Sequence, residues 1–363
     1  MTDFSLRRLA EWHPQSKTIL GWPGLEGTYK DYPERLARAT QEVSSIAQAV
    51  AHFQSVILAV GSERYEEAEL YFNEVDTPFK IELHKIEGDS MNVWLRDFAP
   101  TFVVKEPTKG EASIVGVDWN FNGWGNKHPT PTIVEFAKTF LKDFKIERIE
   151  TSIVTEGGSL ETDGEGTLLI TESSIINDNR NPGKSREDIE AELKRCLGIE
   201  KILWIPGRKG LDSTDCHIDA LVRFVRPGVL LISKANEVKP TEWTTVYEEA
   251  LEILSSATDA KGRPFEIIEV EEPDEDLFEA GGFEDDQAVR SYVNYLLVNG
   301  GIILPQFGDP AHDAAAIRVT QMLFGDERRI YPVLIDELPR LGGGVHCVTQ
   351  EIPVSPSAKS AMN

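Results

Sequence analysis

Gly342-Gly343-Gly344-Val345-His346-Cys347-Val348-Thr349-Gln350 is the stretch on which the fold turns. A glycine run lets the backbone take positive φ and approach a neighbour closely. It leads into a β-prone segment, so the pattern predicts a strand over 345–350. No helical pattern follows that strand. Near the other end, Thr18-Ile19-Leu20-Gly21-Trp22-Pro23 reads as a strand ending at a turn, with no hairpin partner before it. Each of these strands has what the other lacks.

Between them one paragraph recurs four times: strand, strand, helix, strand. The first copy has strands at 99–105 and 113–119, a helix at 132–144 and a strand at 145–150. The second has strands at 159–162 and 167–171, a helix at 186–197 and a strand at 201–205. The third has strands at 217–224 and 229–233, a helix at 241–255 and a strand at 265–270. The fourth has strands at 291–298 and 301–306, a helix at 312–324 and a strand at 329–335. Apolar spacing of three and four marks the helices, and short apolar runs mark the strands. After the first strand come a helix at 33–53, a strand at 55–60, a short helix at 64–72 and a strand at 80–86. Joining the two chain ends would make a fifth unit.

A fixed period points to stacked or radially arranged units, and radial closure removes exposed sheet edges. The competing reading is two ordinary α/β domains. No linker rich in Pro, Gly or Ser divides the chain, so one domain over 1–363 is expected, with 354–363 as a frayed tail. Segments 207–216 and 271–287 carry no clear element, and such loops tend to cover sites.

The chain has 363 residues, 40% hydrophobic and 27% charged, which is the composition of a soluble globular protein with a sizeable core. Its net charge of −24 disfavours nucleic acid and anionic membranes as partners and attracts small cations. The three cysteines, Cys196, Cys216 and Cys347, imply no disulfide framework and fit a reducing compartment. The N-terminal residues lack an apolar signal region, and no run is long and apolar enough to span a bilayer. A cytoplasmic location is the expectation.

Four groups could carry chemistry. In Trp94-Leu95-Arg96-Asp97, a carboxylate beside an indole suits a planar cation, although an Arg96–Asp97 surface pair with a core tryptophan would read the same. In Asp215-Cys216-His217-Ile218-Asp219, strand alternation puts His217 and Asp219 on one face, as a proton shuttle and a cation anchor. The same alternation turns Cys216 away from His217, toward a packing role. Glu156 precedes the paired glycines Gly157 and Gly158, which by themselves read as a turn. Cys347 follows flexible glycines and is either a nucleophile or a buried inert thiol. Alternation would turn His346 away from Cys347, which makes His346 a packing or hydrogen-bonding residue.

Together these residues resemble the agmatine deiminases, within the guanidine-modifying enzymes that include the bacterial-type peptidyl-arginine deiminases. The resemblance runs from about Glu11 to Pro353. It rests on Trp94–Pro100 with Thr101-Phe102-Val103-Val104, and on Phe121-Asn122-Gly123-Trp124-Gly125. It extends through Glu156–Ser159 with Asp163-Gly164-Glu165-Gly166-Thr167, Asn179-Arg180-Asn181-Pro182 and His217-Ile218-Asp219. Asn299-Gly300-Gly301, Pro305-Gln306-Phe307-Gly308-Asp309 and the run to Cys347 complete it.

The resemblance implies a five-bladed α/β propeller with pseudo-fivefold strand-strand-helix-strand repeats, in accord with the repeat. It implies that Cys347 is the nucleophile, His217 the acid/base, and Asp97 and Asp219 the clamps on the guanidinium nitrogens. Glu156 would be a further polar contact and Trp94 would line the site. No cofactor or metal is implied, and neither HExxH nor CxxC spacing occurs. The implied reaction is hydrolysis of agmatine to N-carbamoylputrescine and ammonia through a covalent cysteine intermediate, a step toward putrescine and the polyamines. Peptidyl-arginine or free arginine is the alternative substrate, and an inactive guanidine-binding protein on the same fold is the alternative class. A Cys–His protease would leave the paired carboxylates without a purpose. The partner expected is a small cationic guanidine, with neither nucleic acid nor membrane; homo-oligomerisation is compatible with the sequence. The chain departs from the family's usual pattern at Asn92, Glu161 and Cys216, where Asp, His and Gly are common. Its glycine run is also one residue shorter.

Overall fold

The computed structural model describes residues 4–25, 29–88, 91–235, 239–278 and 288–355. Among these residues the strands form five sheets. Four repeat one connection: an antiparallel hairpin, a helical crossover, then a strand parallel to the second hairpin strand. Thr101–Pro107 pairs with Ser113–Asp118, which pairs with Arg148–Glu150. Glu161–Thr162, Thr167–Thr171 and Lys201–Ile205 follow the same order. So do Val222–Arg226, Val229–Lys234 and Glu266–Glu271, and Leu296–Val298, Gly301–Gln306 and Arg329–Leu334.

The fifth sheet joins the chain ends. Thr349–Pro353 lies antiparallel to Gln15–Gly21, with Gln350 opposite Ile19. Gln15–Gly21 is parallel to Ser55–Gly61, and Ser55–Gly61 to Ile81–Ile86. The strand without a helix thus completes the strand without a hairpin.

The crossover helices start and stop where their sequences dictate. Ser185 and Asp188 form a capping box on Arg186–Leu197, and Gly198 ends it at φ 67°. Thr241 caps Glu242–Ser256, and Asp309 caps Pro310–Phe324. Each crossover packs between sheets. Leu169, Leu203 and Ile205 of one sheet share a core with Val222, Phe224, Leu230 and Ile232 of the next. Val246, Ala250 and Leu254 of the intervening helix complete that core. Burial on both faces explains why the middle strands read as unbroken apolar runs.

Several expected spans shift. Helix 132–144 is two short helices, Pro131–Val134 and Phe136–Asp143. Phe4–Arg7 is an additional strand that pairs antiparallel with Thr101–Pro107. Val354 donates its N–H to Pro14 and Ser355 its hydroxyl to Ala112, so the first tail residues are tied down, whereas 356–363 lie outside the described residues. Segment 271–287 contains the 3₁₀ turn Glu275–Leu277, and its residues 279–287 also lie outside them. Among the described residues no helix is long and apolar enough to cross a membrane.

The most consequential shift concerns the first hairpin strands, which start later than expected. The strand expected over 345–350 is Thr349–Pro353, 217–224 becomes Val222–Arg226, 291–298 becomes Leu296–Val298, and 159–162 becomes Glu161–Thr162. Ahead of each strand the backbone closes a tight turn by an i→i+3 bond. The bonds are Asp97 N–H to Trp94 O, Ser159 N–H to Glu156 O, Leu221 N–H to Ile218 O, Asn294 N–H to Ser291 O and Thr349 N–H to His346 O. These segments were read as strands because they are apolar. They are apolar because they are buried, and their backbone groups pair within turns.

Candidate active site

The same tight turn recurs before the hairpin of all five sheets, and each copy lies at a chemically distinctive residue: Asp97, Gly158, Asp219, Asn294 and Cys347. The structure brings these five positions together. Gly158 N–H donates to Asp97 Oδ1 at 3.1 Å. Cys347 Sγ lies 3.7 Å from Asp219 Oδ2, and Asn294 Nδ2 lies 3.2 Å from Cys347 Sγ. His217 sits between the acids, its Nδ1 3.5 Å from Asp97 Oδ1 and its Nε2 3.4 Å from Glu156 Oε2.

Asp97 is held by Trp124, whose Nε1 donates to Oδ2 at 2.8 Å. It does not pair with Arg96. That guanidinium is buried and bonds Glu351 at 2.7 Å, while the Arg96 N–H donates to the Cys347 carbonyl. The reading of Arg96–Asp97 as a surface pair is therefore excluded. Glu156 is fully buried; Arg180 Nε donates to Oε1 at 2.8 Å, which fixes the carboxylate against His217. Trp94 is half-buried beside the glycine run, and a Cβ on Gly343 would lie 2.4 Å from its ring. The run thus lets an indole lie against the backbone that precedes Cys347, and Gly342 takes φ 96°.

Asp219 differs from the other acids. Its Oδ2 faces His346 Nδ1 at 2.7 Å, but no protein donor among the described residues reaches its buried Oδ1. A buried carboxylate oxygen without a donor is costly unless a ligand supplies one.

The electrostatics follow from this packing. Burial, with Asp219 and Glu156 nearby, raises the Asp97 carboxyl to about 6 against the pull of His217 and Trp124. Burial disfavours the His217 imidazolium, but Asp97, Glu156 and Asp219 outweigh it and raise the ring to about 9. Burial also pushes Asp219 upward, yet the hydrogen bond and charge of His346 bring it below the ordinary range. The Cys347 thiol is pushed well above its ordinary value by burial and by the charges of Asp219 and Asp97. The site therefore offers carboxylates, an imidazolium and a protonated thiol, with the charges of Asp97 and Asp219 beside the sulfur.

Two expectations need correction. His217 and Asp219 do not share a strand face, because Ile218–Ala220 is a 3₁₀ turn; it is the turn that brings both into the site. His346 is not turned away from the chemistry. Residues 345–348 are not extended, so alternation does not apply, and His346 and Cys347 both reach Asp219. Cys216 is a packing residue, as expected: it is fully buried and its thiol is pushed up to about 12, by burial first. Its backbone has φ 76°, which explains why glycine is common at this position; the N–H to Asp212 Oδ1 at 3.1 Å and Thr171 on its carbonyl hold the conformation.

Sequence reading missed Asn294, whose Oδ1 also accepts from the Cys347 N–H at 3.3 Å. The available signal was one asparagine inside the apolar run Tyr292-Val293-Asn294-Tyr295-Leu296. Among the described residues no group of three or more His, Cys, Asp or Glu side chains is placed to hold a metal ion.

Gly158 shows how tightly the site is closed. A Cβ there would lie 2.5 Å from His217 Nδ1 and 2.8 Å from Asp97 Oδ1. Gly158→Ala is expected to displace both groups and lower kcat/KM about 100-fold while leaving every side chain of the site chemically intact. Steady-state assays beside a cooperative melt would check this.

Comparison with known proteins gives the family. Residues 7–353 match the Porphyromonas-type peptidyl-arginine deiminase family. The chain is 36% identical to the agmatine deiminase of Medicago truncatula over 95% of each chain. It is also 36% identical to the agmatine deiminase of Pseudomonas putida, over 95% of this chain and 94% of that one. Among solved structures, the agmatine deiminase of Enterococcus faecalis superposes with a TM-score of 0.83 at 28% identity, over 96% of each chain.

Proposed function

Because the chain belongs to the Porphyromonas-type peptidyl-arginine deiminase family, we propose that it hydrolyses the guanidinium of agmatine to N-carbamoylputrescine and ammonia. The observation that carries this reading is the buried Asp219 Oδ1, which no protein donor among the described residues reaches and which belongs to a carboxylate 3.7 Å from the Cys347 thiol. A guanidinium supplies planar N–H donors for that oxygen and positive charge beside the thiol.

Cys347 is the nucleophile, His217 the acid/base, and Asp97 and Asp219 the clamps. Trp94 lines the site, and Glu156 orients and charges His217. A guanidinium carbon is a poor electrophile, so orientation between two carboxylates beside the sulfur supplies much of the acceleration. The bound cation offsets the acids that hold the thiol protonated, and so favours the thiolate. Asn294 Nδ2 at 3.2 Å is placed to donate to it. The thiolate adds to the guanidinium carbon, and the imidazolium of His217 gives its proton to the departing ammonia. The C–N bond breaks and leaves a cationic amidino-thioether on Cys347. Neutral His217 then takes a proton from water as it attacks the same carbon. Collapse expels the thiolate, the proton of the added hydroxyl passes to solvent as the ureido carbonyl forms, and His217 is left protonated again.

This reading takes the chain as one catalytic domain, 1–363, in which the five sheets stand as blades of an α/β propeller. The shared turn at the head of each hairpin supports it. It also takes the substrate as a small cation acted on in the cytoplasm without nucleic-acid or membrane partners, which the charge of −24 supports. The family's description favours arginine in a peptide as a second reading. Ammonia release from agmatine, free arginine and an arginyl peptide, measured side by side, tests the choice; turnover of the peptide over agmatine would overturn the first reading.

The pH profile follows from the titrations. Asp97 must be ionised to clamp the cation, so kcat/KM is expected to fall as pH drops through about 6. His217 must be protonated to release ammonia, so it is expected to fall again as pH rises through about 9. A plateau between the two limbs is the outcome to look for.

A further inference from the structure

The carboxylate that faces the nucleophile is itself the end of a buried chain of charged groups. Asp219 Oδ2 meets His346 Nδ1 at 2.7 Å, and His346 Nε2 meets Glu11 Oε2 at 2.8 Å. His346 and Asp219 are almost fully buried. Glu11 is anchored in turn: Arg223 donates to its Oε2 at 2.8 Å and the Leu297 N–H to its Oε1 at 2.6 Å. Glu11 and His346 are 335 residues apart, so only the closed fold makes this contact.

We propose that His346 and Glu11 are positioning residues for the reaction, holding Asp219 ionised and pinning its Oδ2 so that Oδ1 stays free for a guanidinium nitrogen. This deepens the guanidinium reading and rests on it. A carboxylate oxygen lies at each ring nitrogen of His346, so the ring is pinned between Asp219 and Glu11. Burial pushes the Asp219 carboxyl up, and the hydrogen bond and charge of His346 bring it below its ordinary range. The Cys347 thiol also donates to Oδ2, at 3.7 Å, so both protein contacts fall on that oxygen and Oδ1 is left for substrate. An Asp219 that is protonated is lost as an acceptor for substrate. Glu11 acts one step further out by accepting at the other ring nitrogen of His346 and fixing the ring against Asp219. Arg223, held at 2.8 Å by Glu161 as well, anchors Glu11 from behind.

The charged groups around the pair define what a pH experiment reads. Arg223, Arg96, Glu161 and Glu351 act on the Glu11 and His346 side. His217 and the thiol of Cys347 act on the Asp219 side. Replacing Glu11 also removes a carboxylate partner of Arg223, which keeps Glu161, and Glu11→Asp retains that charge.

The test compares Glu11→Gln and His346→Gln with the wild type, and Glu11→Asp as the variant that keeps the charge. One readout is kcat/KM for agmatine across pH. The other is alkylation of Cys347 by iodoacetamide, followed peptide by peptide. Glu11→Gln is expected to lower kcat/KM about tenfold at neutral pH and to move the acidic limb about one pH unit above the limb near 6 that Asp97 sets, because Asp219 then takes up its proton before Asp97 does. Activity then recovers as pH rises. Alkylation of Cys347 is expected to become faster, because a neutral Asp219 no longer opposes the thiolate, while Cys196 and Cys216 stay protected. Glu11→Asp should keep the wild-type limb. General loosening would expose all three thiols and leave the limb in place. An unmoved limb and unchanged Cys347 alkylation in both glutamine variants overturns the proposal. A wild type that releases no ammonia from any guanidine overturns the hydrolytic reading instead, and the alkylation arm still decides this one.

Discussion

Cys347→Ala is expected to release no ammonia from agmatine above background, a loss of more than about 10⁴-fold in kcat, while still binding the substrate. The thiol is the only sulfur among the described cysteines that reaches the acids. Cys196 lies in an apolar core between a helix and two sheets, and Cys216 in the next core. Neither can substitute. The carboxylates of Asp97 and Asp219 remain in the variant, and so does the charge that attracts a cation. Calorimetry on Cys347→Ala should therefore give an affinity for agmatine near the wild-type KM. Binding without turnover separates lost chemistry from lost structure. Robust turnover by this variant would remove Cys347 from the mechanism.

His217→Gln should have the second largest effect. The ring gives a proton to the departing ammonia and takes one from the attacking water, so both halves of the reaction suffer. General acid–base groups contribute about 10² to 10⁴, and kcat is expected to fall within that range. The limb near pH 9 should disappear with the group that titrates there. Stability carries an independent signature. The folded value of His217, about 9, lies above its ordinary 6.5. The stabilisation from binding that proton is fully present below pH 6.5 and is lost as pH rises through 9. The melting temperature of the wild type relative to His217→Gln should therefore decline across that window. A constant difference would mean that the ring is not held protonated by Asp97 and Glu156.

Much of the architecture was legible because it is local. Helix 186–197 could be placed to the residue from Ser185, Asp188 and Gly198, whose capping chemistry works within one turn. The middle strand of each unit was legible because burial on both faces leaves an unbroken apolar run, as in Gly301–Gln306. The residues of the site could be picked out as types and in order, through their resemblance to a family. Their geometry could not. The expected pairing of His217 with Asp219 across a strand face failed because an apolar segment does not say whether its backbone bonds a neighbouring strand or closes a turn. His346 was set aside for the same reason: period-two alternation holds only where the chain is extended. Asn294 sits in an apolar run, and its contact with Cys347 spans 53 residues.

By itself the sequence determined the repeating unit, the stops of its helices, the excess of acid and the presence of a cysteine behind three glycines. Each of these depends on neighbours within a few residues or on composition. The complementary chain ends already pointed to a fifth unit; only the tertiary structure decided its register, with Gln350 opposite Ile19, and that the turns before the five antiparallel pairs meet around one thiol. Only it decided that a glutamate near the N-terminus backs a histidine near the C-terminus. These contacts join residues up to 335 positions apart, and their energies exist only after the chain has closed on itself. The Gly342–Gln350 stretch is where the two kinds of information meet. Its glycines announce a close approach, and the fold decides that what approaches is Trp94 on one side and Asn294 on the other.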